Sequence, residues 1–251
     1  MKNVKIKNSL GTHIAAVVHY PEKKTEKLAI LCPGFLDTKD YDHLVRLAEA
    51  LAARGYTAVR FDPTGTWESE GSITDYLTSQ YLDDIKSVLE YMLGEGNFAH
   101  VLLGGHSRGG MVSLLYAARD SRVSVALGIM PSSGRYDGKK REEWEKTGFQ
   151  ISYRDIPGSV DKKEFRVPFA NVKDRDQYDV LNDVKKIHVP AIFIAGEIDA
   201  LVPPEDVKEL FDNANEPKKY IMMEGMGHDY RKYSAEVRML NNEIVGALKS
   251  F

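Results

Sequence analysis

Short apolar runs and amphipathic stretches follow one another along most of the chain. The first residues alternate polar and apolar side chains, which predicts an antiparallel pair of strands at 4–6 and 14–18, joined around residues 9–11. The later runs are continuously apolar, as is typical of strands buried on both faces of a parallel sheet. They predict six further strands, at 27–32, 56–61, 100–103, 123–130, 191–195 and 220–223.

Amphipathic stretches between these strands predict helices. In the stretch 40–54, Leu44, Leu47 and Leu51 recur at helical spacing, and Gly55 is a typical residue with which a helix ends. Further helices are predicted at 74–93, 111–118, 204–213 and 234–248. Strands that alternate with helices indicate an α/β domain, with a mostly parallel eight-stranded sheet that is covered by helices on both faces.

The segment 134–179 interrupts this alternation. It holds neither a long apolar run nor a clean helical stripe, and it carries, among other aromatic residues, Trp144, Phe149, Tyr153, Phe165 and Phe169. A structureless loop of this length is uncommon in a compact domain, and the segment leaves the predicted sheet at an edge where α/β sheets bind ligands. We therefore predict a core of residues 1–133 and 180–251 with a lid or cap inserted at 134–179. The alternative is a solvated excursion remote from any site.

Composition narrows the class of partner. The chain of 251 residues carries a formal net charge of −3, which gives no reason to expect nucleic acid or an anionic membrane as a partner. Cys32 is the one cysteine of the sequence, so an intrachain disulfide is excluded. The sequence has neither a signal-peptide pattern nor an apolar run of membrane-spanning length, and we expect a cytoplasmic protein.

The pattern Gly-x-Ser-x-Gly at residues 105–109 follows the apolar run 100–103 and precedes a helical run. A strand, a sharp turn and a helix in this order form a nucleophile elbow, in which the serine Oγ stands above the end of the sheet. Ser107 is therefore the predicted nucleophile, and Gly105 and Gly109 are expected where side chains would collide. The alternative is a Gly-Ser turn before an ordinary helix.

A serine hydroxyl needs a base, and the base needs an acid that orients it. His228 is the predicted base, because it follows the last predicted strand in a flexible loop from which it can reach a serine on a neighbouring strand. Asp199, just after the strand at 191–195, is the predicted acid, and the order Ser, Asp, His along the chain supports the choice. Glu197 is the alternative acid, although its position nearer the strand favours a role in the loop.

The oxyanion formed at an attacked carbonyl needs two hydrogen-bond donors. The amide N–H of Arg108, directly after the nucleophile, is the first candidate, and that of Phe35, in the loop after the third predicted strand, is the second. Pro33 has no N–H and is excluded. Gly34, taken alone, is equally consistent with a plain turn glycine.

Together these motifs resemble those of the α/β-hydrolase superfamily, and within it the serine hydrolases that include bacterial cinnamoyl and feruloyl esterases, monoacylglycerol lipase-like enzymes and the serine aminopeptidase group. The resemblance covers nearly the whole chain, since the elbow at 105–109, the acid loop at 196–203 and the base loop at 227–228 occur in the expected order. It implies the α/β-hydrolase fold with the lid inserted after the sixth strand. Two residues depart from the family's pattern: Pro33 replaces a histidine of the oxyanion loop, and Trp67 replaces a glycine of the loop after the fourth strand.

The resemblance implies a serine carboxylic-ester hydrolase that acts through an acyl-enzyme on small to medium acyl or aryl esters, hydroxycinnamoyl esters among them. Trp67 and Trp144 are the predicted substrate contacts, and neither a metal nor an organic cofactor is expected. The expected partner is a small-molecule ester, and a homodimer is compatible with the sequence. The alternatives are a peptidase or thioesterase with the same triad and a hydrolase-fold binding protein of low turnover. The side chain of Arg108 is expected either to bind an acidic group of the substrate or to pair with a nearby carboxylate.

Overall fold

The computed structural model describes residues 1–134 and 138–251. Ten strands occur in this part of the chain: β1 (Lys2–Lys7), β2 (His13–His19), β3 (Lys27–Cys32), β4 (Thr57–Phe61), β5 (His100–His106), β6 (Val125–Ile129), β7 (Phe149–Asp155), β8 (Lys162–Pro168), β9 (Ala191–Gly196) and β10 (Lys218–Met223). Eight of them form one sheet in the order β1-β2-β4-β3-β5-β6-β9-β10. The pairs β1–β2 and β2–β4 are antiparallel and all other neighbours are parallel, which confirms the predicted sheet. β7 and β8 form a separate antiparallel hairpin.

Eight α-helices occur in the same described residues: α1 (Asp42–Ala52), α2 (Thr78–Glu95), α3 (Arg108–Ala117), α4 (Gly138–Thr147), α5 (Ala170–Arg175), α6 (Val180–Asp183), α7 (Pro204–Asn213) and α8 (Ser234–Ala247). The helix predicted at 74–93 begins only at Thr78, because Ile73–Asp75 form a separate 3₁₀ turn capped by Ser72. None of the described helices has the length and apolar character that crossing a membrane requires.

The sheet separates two apolar layers, because successive strand residues point to opposite faces. In β3, Ile30 packs into the layer formed with α2, α3 and α7, whereas Leu31 packs into the layer formed with α1 and α8. Both side chains are fully buried. Burial on two faces explains why the central strands are continuously apolar in sequence.

The segment after β6 is the one for which the sequence predicts a lid. Its described residues form α4, the β7–β8 hairpin and α5, while residues 135–137 lie outside the described part. Trp144 of α4 donates a hydrogen bond from Nε1 to the carbonyl of Val167 in β8 at 3.0 Å. Lys163 of the same hairpin donates to the carbonyl of Trp67, in the loop after β4, at 3.0 Å. The segment thus packs over the carboxyl end of the sheet, and its role as a lid stays a prediction.

The turn between β5 and α3 brings two stretches of backbone into direct contact. A Cβ atom on Gly109 would lie 2.0 Å from the carbonyl oxygen of Cys32, and a Cβ atom on Gly105 would lie 2.2 Å from the same oxygen. Both distances are far shorter than van der Waals contact with backbone, so a side chain at either position forces the helix away from β3. The close approach is the steric reason for the two glycines of the elbow.

We expect Gly109→Ala to lower the free energy of unfolding by more than about 3 kcal/mol, because α3 has to move away from Cys32 to admit the methyl group. Gly94→Ala in α2 is the matched control, since nothing lies within 4 Å of its new Cβ. The control should keep or gain stability, by up to about 1 kcal/mol. Urea denaturation followed by circular dichroism measures both, and equal stability of the two variants would contradict the close contact between Gly109 and the Cys32 backbone.

Candidate active site

Ser107 stands between β5 and α3 with φ +56° and ψ −118°. A positive φ is unfavourable for a residue with a Cβ atom and persists only where the surroundings fix it. Three hydrogen bonds do so here: the Ser107 N–H donates to the Ile129 carbonyl at 2.9 Å, and the Ser107 carbonyl accepts from the N–H groups of Met111 at 3.0 Å and Ser132 at 3.2 Å. The strained turn holds the serine hydroxyl at the carboxyl edge of the sheet.

Three side chains predicted from separate parts of the sequence meet at this edge. Asp199 follows β9 and His228 follows β10, and the two strands are parallel neighbours. Nδ1 of His228 lies 2.7 Å from Oδ2 of Asp199, and Nε2 of His228 lies 2.9 Å from Oγ of Ser107. With the imidazole neutral, the Asp199 carboxylate must accept the Nδ1–H, which leaves Nε2 as the acceptor for the serine proton.

The Asp199 carboxylate is stabilised in its ionised form. Burial alone would raise its pKa, but hydrogen bonds from His228 and from the Val202 N–H outweigh burial and lower the pKa below its ordinary value. Oδ1 accepts the backbone N–H groups of Leu201 and Val202 at 2.9 and 2.8 Å, which leaves Oδ2 directed at the histidine. The carboxylate is therefore fixed in position and in charge.

Glu197, the alternative acid, lies elsewhere in the loop. Its Oε2 accepts the backbone N–H of Gly225 at 2.8 Å. This bond joins the loop after β9 to the loop after β10, so Glu197 holds together the two loops that carry Asp199 and His228. The geometry favours Asp199 as the partner of the histidine.

The predicted oxyanion donors lie beside the serine. Phe35 and Arg108 both line the cavity into which Ser107 opens, and neither backbone N–H donates a hydrogen bond to another group of the described chain. The neighbouring Leu36 N–H, in contrast, donates to the hydroxyl of Tyr76 at 3.0 Å. Gly34 is more than a turn glycine, because a Cβ atom there would lie 2.7 Å from Oδ2 of Asp37. Two free amide donors thus remain for an oxyanion.

A largely buried polar cluster, formed by Asp37, His43, His106 and Arg231, packs against His228. The rings of His106 and His228 lie 4.6 Å apart between centroids, and Arg231 is ion-paired with Asp37. Burial lowers the pKa of His43 to about 3 and that of His106 to about 4, so both imidazoles are neutral near pH 7. Burial alone would raise the pKa of Asp37, but the neighbouring His106 imidazole and the charge of Arg231 hold it well below its usual range.

This cluster is not predictable from the sequence, because none of its members belongs to a recognisable motif except His106, which stands inside the elbow. Asp37, His43 and His106 bring one possible metal-ligand atom each within 4.8 Å of one another. Three ligand atoms are one fewer than a structural zinc site uses, and Asp37 is already bound to Arg231. The residues therefore fit a packing and ion-pairing role, with ring contacts among His43, His106 and His228, better than a metal site.

The cavity beside Ser107 has a volume of about 410 Å³, a size typical of small-ligand sites. Trp144, a predicted substrate contact, lines it. Trp67, the other predicted contact, does not line it. Its indole packs against Tyr41 and Phe165, and its Nε1 donates to the Leu36 carbonyl at 2.9 Å. Trp67 keeps a positive φ of 46°, the conformation that the family's glycine adopts easily.

The Arg108 side chain extends away from any carboxylate. Its guanidinium donates to Oδ1 of Asn171 at 3.0 Å and to Oγ1 of Thr78 at 3.4 Å. It also lies 4.3 Å from the centroid of the Tyr76 ring. Among residues 1–134 and 138–251, no carboxylate lies within ion-pair distance of it, so the expected pairing with a nearby carboxylate is wrong for the described chain. The other expectation, contact with an acidic group of the substrate, stays a prediction.

Curated relatives match this chain over most of its length. The mitochondrial palmitoyl-protein thioesterase ABHD10 of Mus musculus is 23% identical over 217 residues, which cover 84% of this chain and 71% of that protein. Polyketide transferase GrgF of a Penicillium species is 25% identical over 246 residues, which cover 83% of each. By their names, one of these relatives is a thioesterase and the other is a transferase.

Among solved structures, Est1E from Butyrivibrio proteoclasticus with bound ferulic acid superposes with a TM-score of 0.80 at 21% identity, over 98% of both chains. At this identity the likeness shows the fold alone, and it confirms the α/β-hydrolase fold. Residues 23–178 match the family described as serine aminopeptidase, S33. Since this match spans more than half of the chain, the protein belongs to the serine aminopeptidase (S33) family of the α/β-hydrolase superfamily.

Proposed function

We propose that this protein is a serine carboxylic-ester hydrolase that cleaves small to medium acyl or aryl esters through an acyl-enzyme on Ser107. The observation that carries the proposal is the unbroken chain of hydrogen bonds from Asp199 through His228 to Ser107, at the mouth of a cavity of about 410 Å³. The shared fold of Est1E, whose structure holds ferulic acid, supports an ester of an aromatic acid among the substrates.

Acylation uses the hydrogen-bonded contacts from Ser107 to His228 and from His228 to Asp199. Oγ of Ser107 attacks the ester carbonyl carbon while Nε2 of His228 takes its proton, and the Asp199 carboxylate stabilises the imidazolium that forms. The amide N–H groups of Phe35 and Arg108 bind the developing oxyanion. When the tetrahedral intermediate collapses, the bond to the alkoxy oxygen breaks and the alcohol leaves with the proton from His228.

Deacylation repeats these steps with water. His228, neutral again, takes a proton from a water molecule that attacks the acyl carbonyl of the acylated Ser107. The second tetrahedral intermediate collapses to the carboxylic acid, and its bond to Oγ breaks as His228 returns the proton to the serine. The enzyme regains its starting state, and no group other than the substrate and water is consumed.

A thioester hydrolase is the second candidate function. It is favoured by the likeness to ABHD10, named as a palmitoyl-protein thioesterase. The same acyl-enzyme would form, and the only difference is that a thiol leaves in place of an alcohol. Chemistry and specificity are set by different residues, so the triad itself does not choose between these substrates.

Comparison of leaving groups tests the proposed substrate class. We expect kcat/KM for a 4-nitrophenyl ester to exceed that for the CoA thioester of the same acyl group and that for an aminoacyl anilide, because the cavity admits a small aryl ester next to Ser107. A higher value for the thioester would favour the second candidate. A higher value for the anilide would make the protein a peptidase.

Replacement of the nucleophile tests the mechanism. Ser107→Ala should abolish ester turnover, and a fluorophosphonate probe should label the wild-type protein at Ser107, as located by peptide mass spectrometry. Ser132 also lines the cavity, so Ser132→Ala is the matched variant, and it should keep the label. Labelling of Ser107→Ala would show that another residue is the nucleophile.

Replacement of the acid tests the assignment of Asp199. Asp199→Asn should lower kcat by about 10⁴-fold, as in another enzyme with a Ser-His-Asp triad, because the amide presents the histidine with the wrong tautomer. Glu197→Gln is the matched control, since it changes a carboxylate two residues away that contacts the Gly225 N–H. Steady-state kinetics on one ester measure both, and a larger loss in Glu197→Gln would reverse the assignment.

A further inference from the structure

The cavity beside Ser107 has an excess of positive charge, although the whole chain carries a formal net charge of −3. Among the residues that the structure describes, the charged groups of its wall are the cations Arg108, Lys140, Arg154, Arg175 and Arg231 and the carboxylates Asp37 and Asp229. Both carboxylates contact Arg231. Among the described residues, neither Arg108 nor Arg154 has a carboxylate within ion-pair distance, so the wall supplies no opposite charge to these two arginines.

Arg108 is the member of this set that directly follows the nucleophile, and only 4% of its surface is exposed. Its guanidinium contacts neutral groups, the oxygens of Asn171 and Thr78 and the ring of Tyr76. Its buried Nε has no hydrogen-bond partner in the described part of the chain. The cation is thus removed from water without an opposite charge to compensate it.

Other buried cations of the described chain do have carboxylate partners. Lys39 is ion-paired with Asp62 at 3.2 Å, and Arg60 is ion-paired with Asp40. Burial of an unpaired cation is costly, and aromatic ring faces offset only part of that cost. Arg108 is therefore a buried guanidinium whose environment would be completed by an anion.

Arg154 of β7 approaches the same place from the inserted hairpin. Its guanidinium lies 5.8 Å from the centroid of the Phe35 ring, and that of Arg108 lies 5.6 Å from the same centroid. The buried Nε of Arg154 likewise has no hydrogen-bond partner within residues 1–134 and 138–251. Two guanidinium groups therefore flank the residue whose amide is proposed to bind the oxyanion.

We propose that the substrate is an ester that carries a carboxylate a few bonds from the scissile carbonyl, and that Arg108, with Arg154 beside it, binds this carboxylate. The inference rests on the proposed ester hydrolysis at Ser107. A guanidinium matches a carboxylate with two parallel N–H···O bonds, which gives both affinity and orientation. The binding of one anion would also supply the opposite charge that Arg108 lacks.

The position of Arg108 sets how far this carboxylate lies from the reacting carbonyl. Arg108 is the next residue after Ser107, and consecutive Cα atoms are about 3.8 Å apart. The guanidinium of Arg108 is therefore separated from the Ser107 backbone by little more than the length of one arginine side chain, and it can bind only groups within that distance. An anion at the far end of a long leaving group, such as the phosphates of CoA, lies beyond this reach. A carboxylate in a short acyl group or on a small aryl alcohol lies within it.

Two pairs of synthetic esters test the proposal, each with a carboxylate in one member and an uncharged carboxamide in the other. The acyl pair is the mono-4-nitrophenyl ester of adipic acid and the 4-nitrophenyl ester of adipamic acid, in which a carboxamide replaces the free carboxylate. The alcohol pair is 4-acetoxybenzoate and 4-acetoxybenzamide. In at least one pair, the wild-type kcat/KM for the carboxylate ester should exceed that for the carboxamide ester about 10- to 100-fold, which is the range for a hydrogen bond to a charged group. The pair that shows this preference identifies whether Arg108 binds the acyl half or the alcohol half of the substrate.

Variants assign the preference to the two arginines. Arg108→Gln should bring the carboxylate-to-carboxamide ratio of kcat/KM close to 1, and Arg154→Gln should lower it by a smaller factor. The ratio cancels any effect on catalysis that both esters share, so loss of packing alone does not produce this result. Arg46→Gln is the matched control, since Arg46 is exposed on α1 and ion-paired with Asp42, and it should keep the wild-type ratio.

The outcomes separate this inference from the proposed function. Hydrolysis of the carboxamide esters without a preference for either carboxylate ester would overturn the inference and leave ester hydrolysis intact. Failure to hydrolyse any of the four esters would count against the proposed function itself. Should Arg108→Gln not fold, the wild-type ratios and Arg154→Gln decide, and an unchanged ratio in Arg154→Gln would remove that residue from the proposal.

Discussion

The close contact between Gly109 and the backbone at Cys32 is the constraint on which the rest of the site depends. It lets the N-terminus of α3 lie directly against the end of β3, and the turn that results places Ser107 at φ +56°. The same contact sets the Arg108 amide beside the loop that carries Phe35. One steric requirement thus positions the nucleophile and both proposed oxyanion donors, while β9 and β10 deliver Asp199 and His228 to the same edge of the sheet.

The features that can be predicted from the sequence are those that depend on the order of strands and helices along the chain. Continuous apolar runs indicate strands buried on two faces, and the carboxyl ends of parallel strands share one edge. Ser107, Asp199 and His228 are therefore expected near one another from the sequence alone. The direction of a side chain is harder to predict, as Trp67 shows. Its place in the chain is right for a substrate contact, but its indole packs against Tyr41 and Phe165, and side-chain direction depends on such tertiary contacts.

The distribution of charge over the folded molecule is also not predictable from composition. A chain with a net charge of −3 contains a cavity whose wall is positive, because Arg108 and Arg154 come from distant parts of the sequence and meet only through the inserted hairpin. The buried cluster around Asp37 and His106 escaped prediction for the same reason. Its members come from the loop after β3, from α1, from β5 and from the 3₁₀ turn Tyr230–Lys232, and only the fold brings them together.

The central claim is that an acyl group passes through a covalent bond to Ser107. Rapid acid quench of the protein with 4-nitrophenyl acetate, followed by mass spectrometry of the proteolytic peptides, measures that bond directly. The mechanism predicts that the peptide containing Ser107 gains the mass of one acetyl group and that a His228→Ala variant does not acquire it. An acetyl group on a different residue, or turnover with no adduct on any peptide, would contradict the mechanism.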